Sequence, residues 1–294
     1  MSPRCLTFLL GLIALSPVLG ESSSIALRLE QARDPGGRMV LVAAHRGGYE
    51  TDREDQAPEN TLANLEVAIR KGYDVYETDI KRTRDGVFVI VHDPTIDRET
   101  TGSGPVDRLT LAELRKLRKR YRDGSVSEVQ VATLEELLLA GKGRILFKPD
   151  LKPGVVEHFD ALARLVVRLG MQDHVMIRTG VSDAKTIQTA FHSGTPKVEV
   201  MFKLATAEHV QKIQRDFAPR TVEVRLAKGE VLSSQKLAAI REAWALGILV
   251  ETHAYNDEAV FSELAELGVR MFHTASPAKT LRWLEQNNWR QPSP

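Results

Sequence analysis

With one cysteine in 294 residues, Cys5, the chain has no means of forming an internal disulfide, so its core must hold it together. At 43% hydrophobic content there is enough apolar material for a large core. Net charge is also nearly absent. Lys and Arg total 40 against 39 Asp and Glu, which leaves +1 and gives no reason to expect nucleic acid or a strongly anionic membrane as partner. Any steering of an anionic substrate would have to be local. No internal repeat or low-complexity linker divides the chain, so one domain is expected over residues 39–290. Long apolar runs are lacking too: residues 5–15 are too short to span a bilayer, and stable membrane insertion is not expected. Arg4 precedes that run and Ser16-Pro17-Val18-Leu19-Gly20 follows it. The pattern reads as a signal peptide over residues 1–20, cut near Gly20, with a secreted or periplasmic mature protein that has shed Cys5. The sequence carries no signal of oligomeric state.

What the chain does have is alternation. Residues 60–71 place Leu62, Leu65 and Ile69 on one face and stop at Gly72, and Val155, Phe159, Leu162, Val166 and Leu169 form a second stripe ending at Gly170. Thr110-Leu111-Ala112-Glu113 and Thr133-Leu134-Glu135-Glu136 are capping boxes. Further helices are expected near 182–193, 206–217, 234–246 and 257–267, with Ser276-Pro277 opening the last. Strands are expected near 40, 74, 88, 145, 175, 198, 222, 249 and 270. Nine is one too many for a (β/α)₈ barrel. Parallel neighbours need a crossover of about a dozen residues, and only a short stretch separates Ile80 from Val87, so residues 87–91 are the return arm of a hairpin. The expected fold is a (β/α)₈ TIM-type barrel with a hairpin and a small helical insertion at the mouth after strand 2.

Chemistry enters at Glu77-Thr78-Asp79, whose carboxylates share one face of a strand. Asp85-Gly86 then signals a hairpin turn. If these two residues form the turn, Arg84 pairs with Val87 and His92 lies across from Asp79, about 5 Å away. Two carboxylates and an imidazole on one patch can hold a hard cation beside a general acid or base. A second histidine ends the apolar run 39–44, in His45-Arg46-Gly47-Gly48, where the glycines permit a sharp turn against a ligand. A third run, 144–147, leads into Lys148-Pro149-Asp150-Leu151-Lys152. Pro149 is unusual for a central strand and suggests a strand already ending at Asp150. Polar groups thus recur at strand C-termini, where parallel barrels build active sites.

In this order the segments resemble the glycerophosphodiester phosphodiesterase family. The likeness runs through His45-Arg46-Gly47, Pro58-Glu59-Asn60-Thr61, Glu77-x-Asp79, Asp85-Gly86, His92-Asp93-Pro94-Thr95, Asp97-Arg98, Thr101-Gly102, Leu109-Thr110-Leu111 and Thr133-Leu134-Glu135-Glu136, dense over about residues 40–152. It implies hydrolysis of glycerophosphodiesters such as glycerophosphocholine to glycerol 3-phosphate and an alcohol. It also implies His45 and His92 as catalytic acid and base, Glu77 and Asp79 as ligands of Mg²⁺ or Ca²⁺, and Arg46 and Lys152 as phosphate-holding groups. Asp150 stands where the family usually has a glutamate as third ligand. The late motifs depart further, as Glu251-Thr252-His253-Ala254-Tyr255-Asn256 and Thr274-Ala275-Ser276-Pro277. The 45–58 segment is longer than usual and carries Glu50, Asp52, Glu54 and Asp55 beside the site.

Rival readings are a phospholipase D-like enzyme acting on lysophospholipids or sphingolipids and a secreted phosphodiester-binding protein without catalysis. A barrel glycosidase built on Glu77 and a second carboxylate fits the carboxylates but not the paired histidines, Arg46 and Lys152. His158, His174, His192 and His209 read as structural, while His253 and His273 are secondary candidates for lining the site. Glu59 reads as a charge favoured at a helix N-terminus, with a place in the shell around the site as the alternative that its closeness to the site keeps open. Trp244 and Trp283 read as packing residues, and Trp289 as exposed in a polar tail.

Overall fold

The computed structural model describes residues 24–227, 229–253 and 258–290. Its strands are β1 (Leu41–Ala44), β2 (Val75–Arg82), β3 (Phe88–Ile90), β4 (Leu146–Leu151), β5 (Met176–Gly180), β6 (Glu199–Leu204), β7 (Thr221–Val224), β8 (Leu249–His253) and β9 (Val269–Thr274). Its α-helices are α1 (Ser24–Arg33), α2 (Leu62–Arg70), α3 (Leu111–Leu114), α4 (Leu134–Gly141), α5 (Phe159–Arg168), α6 (Ala184–His192), α7 (Ala207–Phe217), α8 (Ser234–Ala245), α9 (Glu258–Glu266) and α10 (Pro277–Gln286). All strands but β3 are parallel, and the pairing of β1 with both β2 and β9 closes them into an eight-stranded barrel. The architecture is a TIM barrel. β3 runs antiparallel along the end of β2, as the return arm of a hairpin.

Period two along the strands separates two environments. Outward residues such as Val42, Tyr76, Phe147, Phe202, Val250 and Phe272 pack beneath the helices in the main core. The inward residues nearest the strand N-termini, Leu41, Val75, Leu146, Met176, Met201, Leu249 and Met271, form a separate apolar floor. Ile25 and Ala32 of α1 belong to the same cluster, so this helix, lying before the expected domain start and carrying no clear sequence signal, plugs the bottom of the barrel. Buried Asp74 ties it down, accepting from Arg28 at 2.8 Å, from the Val42 amide at 2.8 Å and from Arg290 near the other end of the described chain.

Both expected capping boxes are present, at Thr110 and Thr133. One local expectation shifts by a single residue, the strand end placed at Asp150, and another is corrected. β4 continues through Pro149 to Leu151, in register with β2 (Thr78↔Pro149). The Phe147 amide donates to the His174 carbonyl on the β5 side, and alternation sends the missing Pro149 N–H to that same side. The β4–β5 ladder there is reduced to the pair Asp150↔Arg178 and a bridge at Phe147↔Val175. Trp289 is buried, not exposed, with the guanidinium groups of Arg38 and Arg270 4.1 and 5.4 Å from its ring.

Candidate active site

Each predicted site residue reaches one cavity of about 620 Å³ at the C-terminal end of the barrel: His45, Arg46, Glu77, Asp79, His92, Asp150 and Lys152 all line it. β1 delivers the first two. Beyond Ala44 the chain turns through three consecutive positive-φ residues, Arg46, Gly47 and Gly48. A Cβ on Gly47 would lie 1.4 Å from Asn64 Oδ1, so only glycine fits there. The turn aims the Arg46 amide at Glu77 Oε2, 2.9 Å away, and sets the Arg46 guanidinium between Glu59 (3.1 Å) and Asp79 (3.2 Å).

Glu77, Asp79 and Asp150 are almost fully buried, and one oxygen from each lies within 4.8 Å of the others. Parallel pairing explains the convergence, because Asp79 is register-matched to Asp150 and both are inward residues. Lys152 Nζ lies 2.7 Å from Asp79 and 2.9 Å from Asp150, while Arg178 and Lys203 approach Asp150 at 3.0 and 3.2 Å. Burial alone would raise the Glu77 carboxyl, but His45, Lys148 and Arg178 outweigh it and hold the group at about 2. Asp79 goes the other way, raised by burial and then by the neighbouring Glu77 charge. Three buried carboxylates sharing one point, with no nitrogen or sulfur among them, are a donor set for a hard divalent cation.

The hairpin delivers His92, though not in the expected register. Ile80 pairs with Ile90, and the Val91 amide donates to the Asp79 carbonyl, so the pairing is one residue off. The turn has three residues, 84–86, not two: Thr83 and Val87 bond each other, and Gly86 takes the left-handed position. A one-residue slip would face His92 away if the strand continued. It does not. Glu99 Oε1 accepts from the His92 and Asp93 amides at 2.9 and 3.0 Å and bends the chain back over the cavity, while the Lys119 ammonium holds Glu99 Oε2 at 2.8 Å in full burial. Asp93 Oδ1 then lies 2.5 Å from His92 Nδ1. The helical insertion packs on its own small core around Val89, Ile96, Val106, Leu114 and Val131.

Glu59 is not a helix-end charge. α2 begins at Leu62 behind the Thr61 cap, and Glu59 is a buried node accepting from Arg46, Arg98 and Arg122 at 3.1, 2.9 and 2.9 Å. Burial opposes its charge, but those three cations prevail and hold it at about 2. Of the acidic residues in the 45–58 segment, Glu50 lines the cavity, whereas Asp52 accepts from the Arg122 amide and Asp55 pairs with Lys71.

The late strands supply residues that sequence reasoning passed over: Lys148, Arg178, Lys203, Glu223, Arg225 and Glu251. Lys148 Nζ meets both oxygens of Glu251 at 2.6 Å, and Arg178 is bidentate to Glu223, all four side chains buried. The secondary candidates His253 and His273 do line the cavity. Burial holds the His45 imidazole down at about 3 and His273 well below the usual range. A signal existed for some of these, namely ionisable residues two apart at a strand end, as in Lys148 and Asp150, Glu223 and Arg225, and Glu251 and His253, the same pattern that marks Glu77 and Asp79; Arg178, Lys203 and His273 carry no such mark. Tyr255 and Asn256 lie outside the described residues.

Comparison with known proteins bears on the family and the fold. A sequence model of the glycerophosphoryl diester phosphodiesterase family matches residues 45–279. A glycerophosphodiester phosphodiesterase of Caldanaerobacter subterraneus subsp. tengcongensis is 37% identical over 119 residues, covering 40% of this chain and 47% of that protein. Glycerophosphodiester phosphodiesterase 1 of Rattus norvegicus is 42% identical over 112 residues, covering 38% of this chain and 30% of the relative. The matches thus span about half or less of these relatives' lengths. A glycerophosphoryl diester phosphodiesterase from Parabacteroides distasonis has a similar structure, with TM-score 0.76 at 20% identity over 91% of this chain and 93% of that one. An Oleispira antarctica phosphodiesterase in complex with the product sn-glycerol-3-phosphate superposes with TM-score 0.67 at 22% identity, over 84% and 97% of the two chains.

Proposed function

Because the chain belongs to the glycerophosphoryl diester phosphodiesterase family, we propose that it hydrolyses glycerophosphodiesters to sn-glycerol 3-phosphate and an alcohol. The observation that carries this reading is the convergence in one cavity of three buried carboxylates, two histidines, Arg46 and Lys152. Glu77, Asp79 and Asp150 would hold Mg²⁺ or Ca²⁺, and the bound ion supplies positive charge against the phosphoryl group.

A phosphodiester is anionic and hydrolyses very slowly, so the protein must offset phosphoryl charge and manage two protons. Arg46 and Lys152, already at the cavity wall, serve the first need. His45 serves as base, since burial keeps its imidazole neutral and able to accept a proton. His92 serves as acid: Asp93 fixes the Nδ1 side of the ring, leaving Nε2 to protonate the departing alkoxide. In the first step the glycerol 2-hydroxyl bonds to phosphorus as the phosphorus–alkoxide bond breaks. Water then opens the cyclic phosphate with the two histidine roles exchanged.

The lining supports a small polar substrate over a lipid. Besides the Tyr49 ring, its apolar members are Leu151, Pro153 and Ala275, and the exposed large apolar residues, Leu27, Val126, Leu139, Val231 and Leu246, lie elsewhere among the described residues. The charged-then-apolar pattern of residues 1–20 supports export. The test is release of glycerol 3-phosphate from glycerophosphocholine by the purified protein with Mg²⁺, with Ca²⁺ and with EDTA. Release that depends on the cation is the expected result. Absence of release with either cation, from protein shown to be folded, would overturn the reading.

A further inference from the structure

The proposed reaction leaves two mouth histidines, His253 and His273, without a task. Strand register places them beside a third. His253 pairs directly with His273 across β8 and β9, and β9 pairs Thr274 with Ala44, one residue before His45. The ring centroids are 4.1 Å apart for His253 and His273, 4.8 Å for His45 and His273, and 5.6 Å for His45 and His253. One nitrogen from each ring lies within 4.8 Å of the other two. His273 is 1% exposed, and neither of its ring nitrogens makes a hydrogen bond. Its nearest acidic oxygens are Glu77 Oε2 at 3.5 Å and Glu251 Oε1 at 3.8 Å. A buried imidazole left unsatisfied in this way calls for a ligand. The cluster is also reachable, because the side chains of His45 and His253 are 20% and 11% exposed to the cavity.

Three imidazoles facing a cavity are a donor set for Zn²⁺ and its transition-metal neighbours, whereas Mg²⁺ and Ca²⁺ favour oxygen. We propose that His45, His253 and His273 form a second, nitrogen-rich cation site for Zn²⁺ that adjoins the three-carboxylate site through Glu77, with Glu77 and Glu251 supplying nearby negative charge. Occupancy takes up the His45 lone pair and so withholds the base of the reaction. This consequence rests on the function proposed above; the site itself does not.

The test measures binding without substrate. The full chain, stripped by chelator and then saturated with Mg²⁺, is titrated with Zn²⁺ against a chromophoric competitor and with Co²⁺ for its visible spectrum. One Zn²⁺ per chain should be retained, with a Co²⁺ spectrum of nitrogen-rich coordination. His253→Ala and His273→Gln should each weaken Zn²⁺ at least about 100-fold, since even outer groups around a metal are worth about 10–100-fold. Asp79→Asn, which changes the carboxylate set and not the histidines, should weaken it by no more than about 10-fold, the low end for a group outside the ligands. His253→Ala, at the cavity edge, decides the matter if His273→Gln fails to fold. No Zn²⁺ retained in excess Mg²⁺, or Zn²⁺ lost in Asp79→Asn and kept in His253→Ala, would overturn the site.

Discussion

The floor and the mouth of this barrel are built on the same strands and the same inward-facing period, yet they are opposite materials. At the floor, Leu146, Met176, Met201 and Met271 pack against α1 with few polar atoms to satisfy. One layer higher, Lys148, Arg178, Glu223, Glu251 and His273 fill the barrel, and above them Asp79, Asp150, Lys152 and Lys203 open into the cavity. Apolar burial returns about 25 cal/mol per Å² with no requirement on direction, whereas each buried charge costs several kcal/mol unless its partner is well placed. The floor therefore stabilises the barrel, and the mouth spends part of that stability to hold charges where a substrate can meet them.

That contrast breaks most sharply at the histidines. His45→Ala and His92→Ala are each expected to lower turnover by about 10²–10⁴-fold, with a thermal midpoint close to that of the parent; near-parental kinetics in either variant would remove that residue from the mechanism. Next comes the polar layer. Lys148→Met strands Glu251 in full burial and should cost about 3–5 kcal/mol in urea unfolding, while Lys148→Met with Glu251→Leu should recover most of it. A double variant no more stable than the single one would show that the pair is not the unit of stability. At the floor, Leu146→Ala should cost about 2–5 kcal/mol and leave kcat unchanged, the reverse of the histidine result.

A smaller effect comes from Glu59. Its carboxyl is held at about 2 against an ordinary 4.5, so its contribution is complete above pH 4.5 and fades as pH falls towards 2. The shift corresponds to about 3 kcal/mol at most. Glu59→Gln should therefore unfold more easily than the parent at pH 7, with the gap narrowing below pH 4; a gap independent of pH would mean that the arginine node is not electrostatic. The smallest effect is at the Thr133 capping box, where Thr133→Ala should cost about 1 kcal/mol, read as a shift in urea midpoint without a change in activity.

Legibility in the sequence followed the range of the interactions. Capping boxes, the α2 stripe and the Glu77-x-Asp79 spacing depend on residues a few positions apart, and the structure has each of them. The hairpin itself was readable from Asp85-Gly86, but its register was not, because Thr83 recruits Val87 through both side chain and backbone and makes the turn three residues long. Glu59 was misread for the same reason. Its three arginine partners lie 13, 39 and 63 residues away, and no local pattern announces them.

Sequence by itself determined the alternation of strands and helices, the surplus ninth strand as a hairpin arm, and which residues could carry acid, base and cation chemistry. Those are consequences of backbone periodicity and side-chain type, both local. Tertiary structure decided who meets whom. Closure of β1 against β9 brings His273 within reach of His45, and pairing of β2 with β4 completes the three-carboxylate cluster with Asp150. The crossing of the barrel by Lys148 and Glu251, 103 residues apart, belongs to the same class. Such contacts exist only once the barrel has closed, because closure sets the register of every strand against a neighbour that its own sequence does not name.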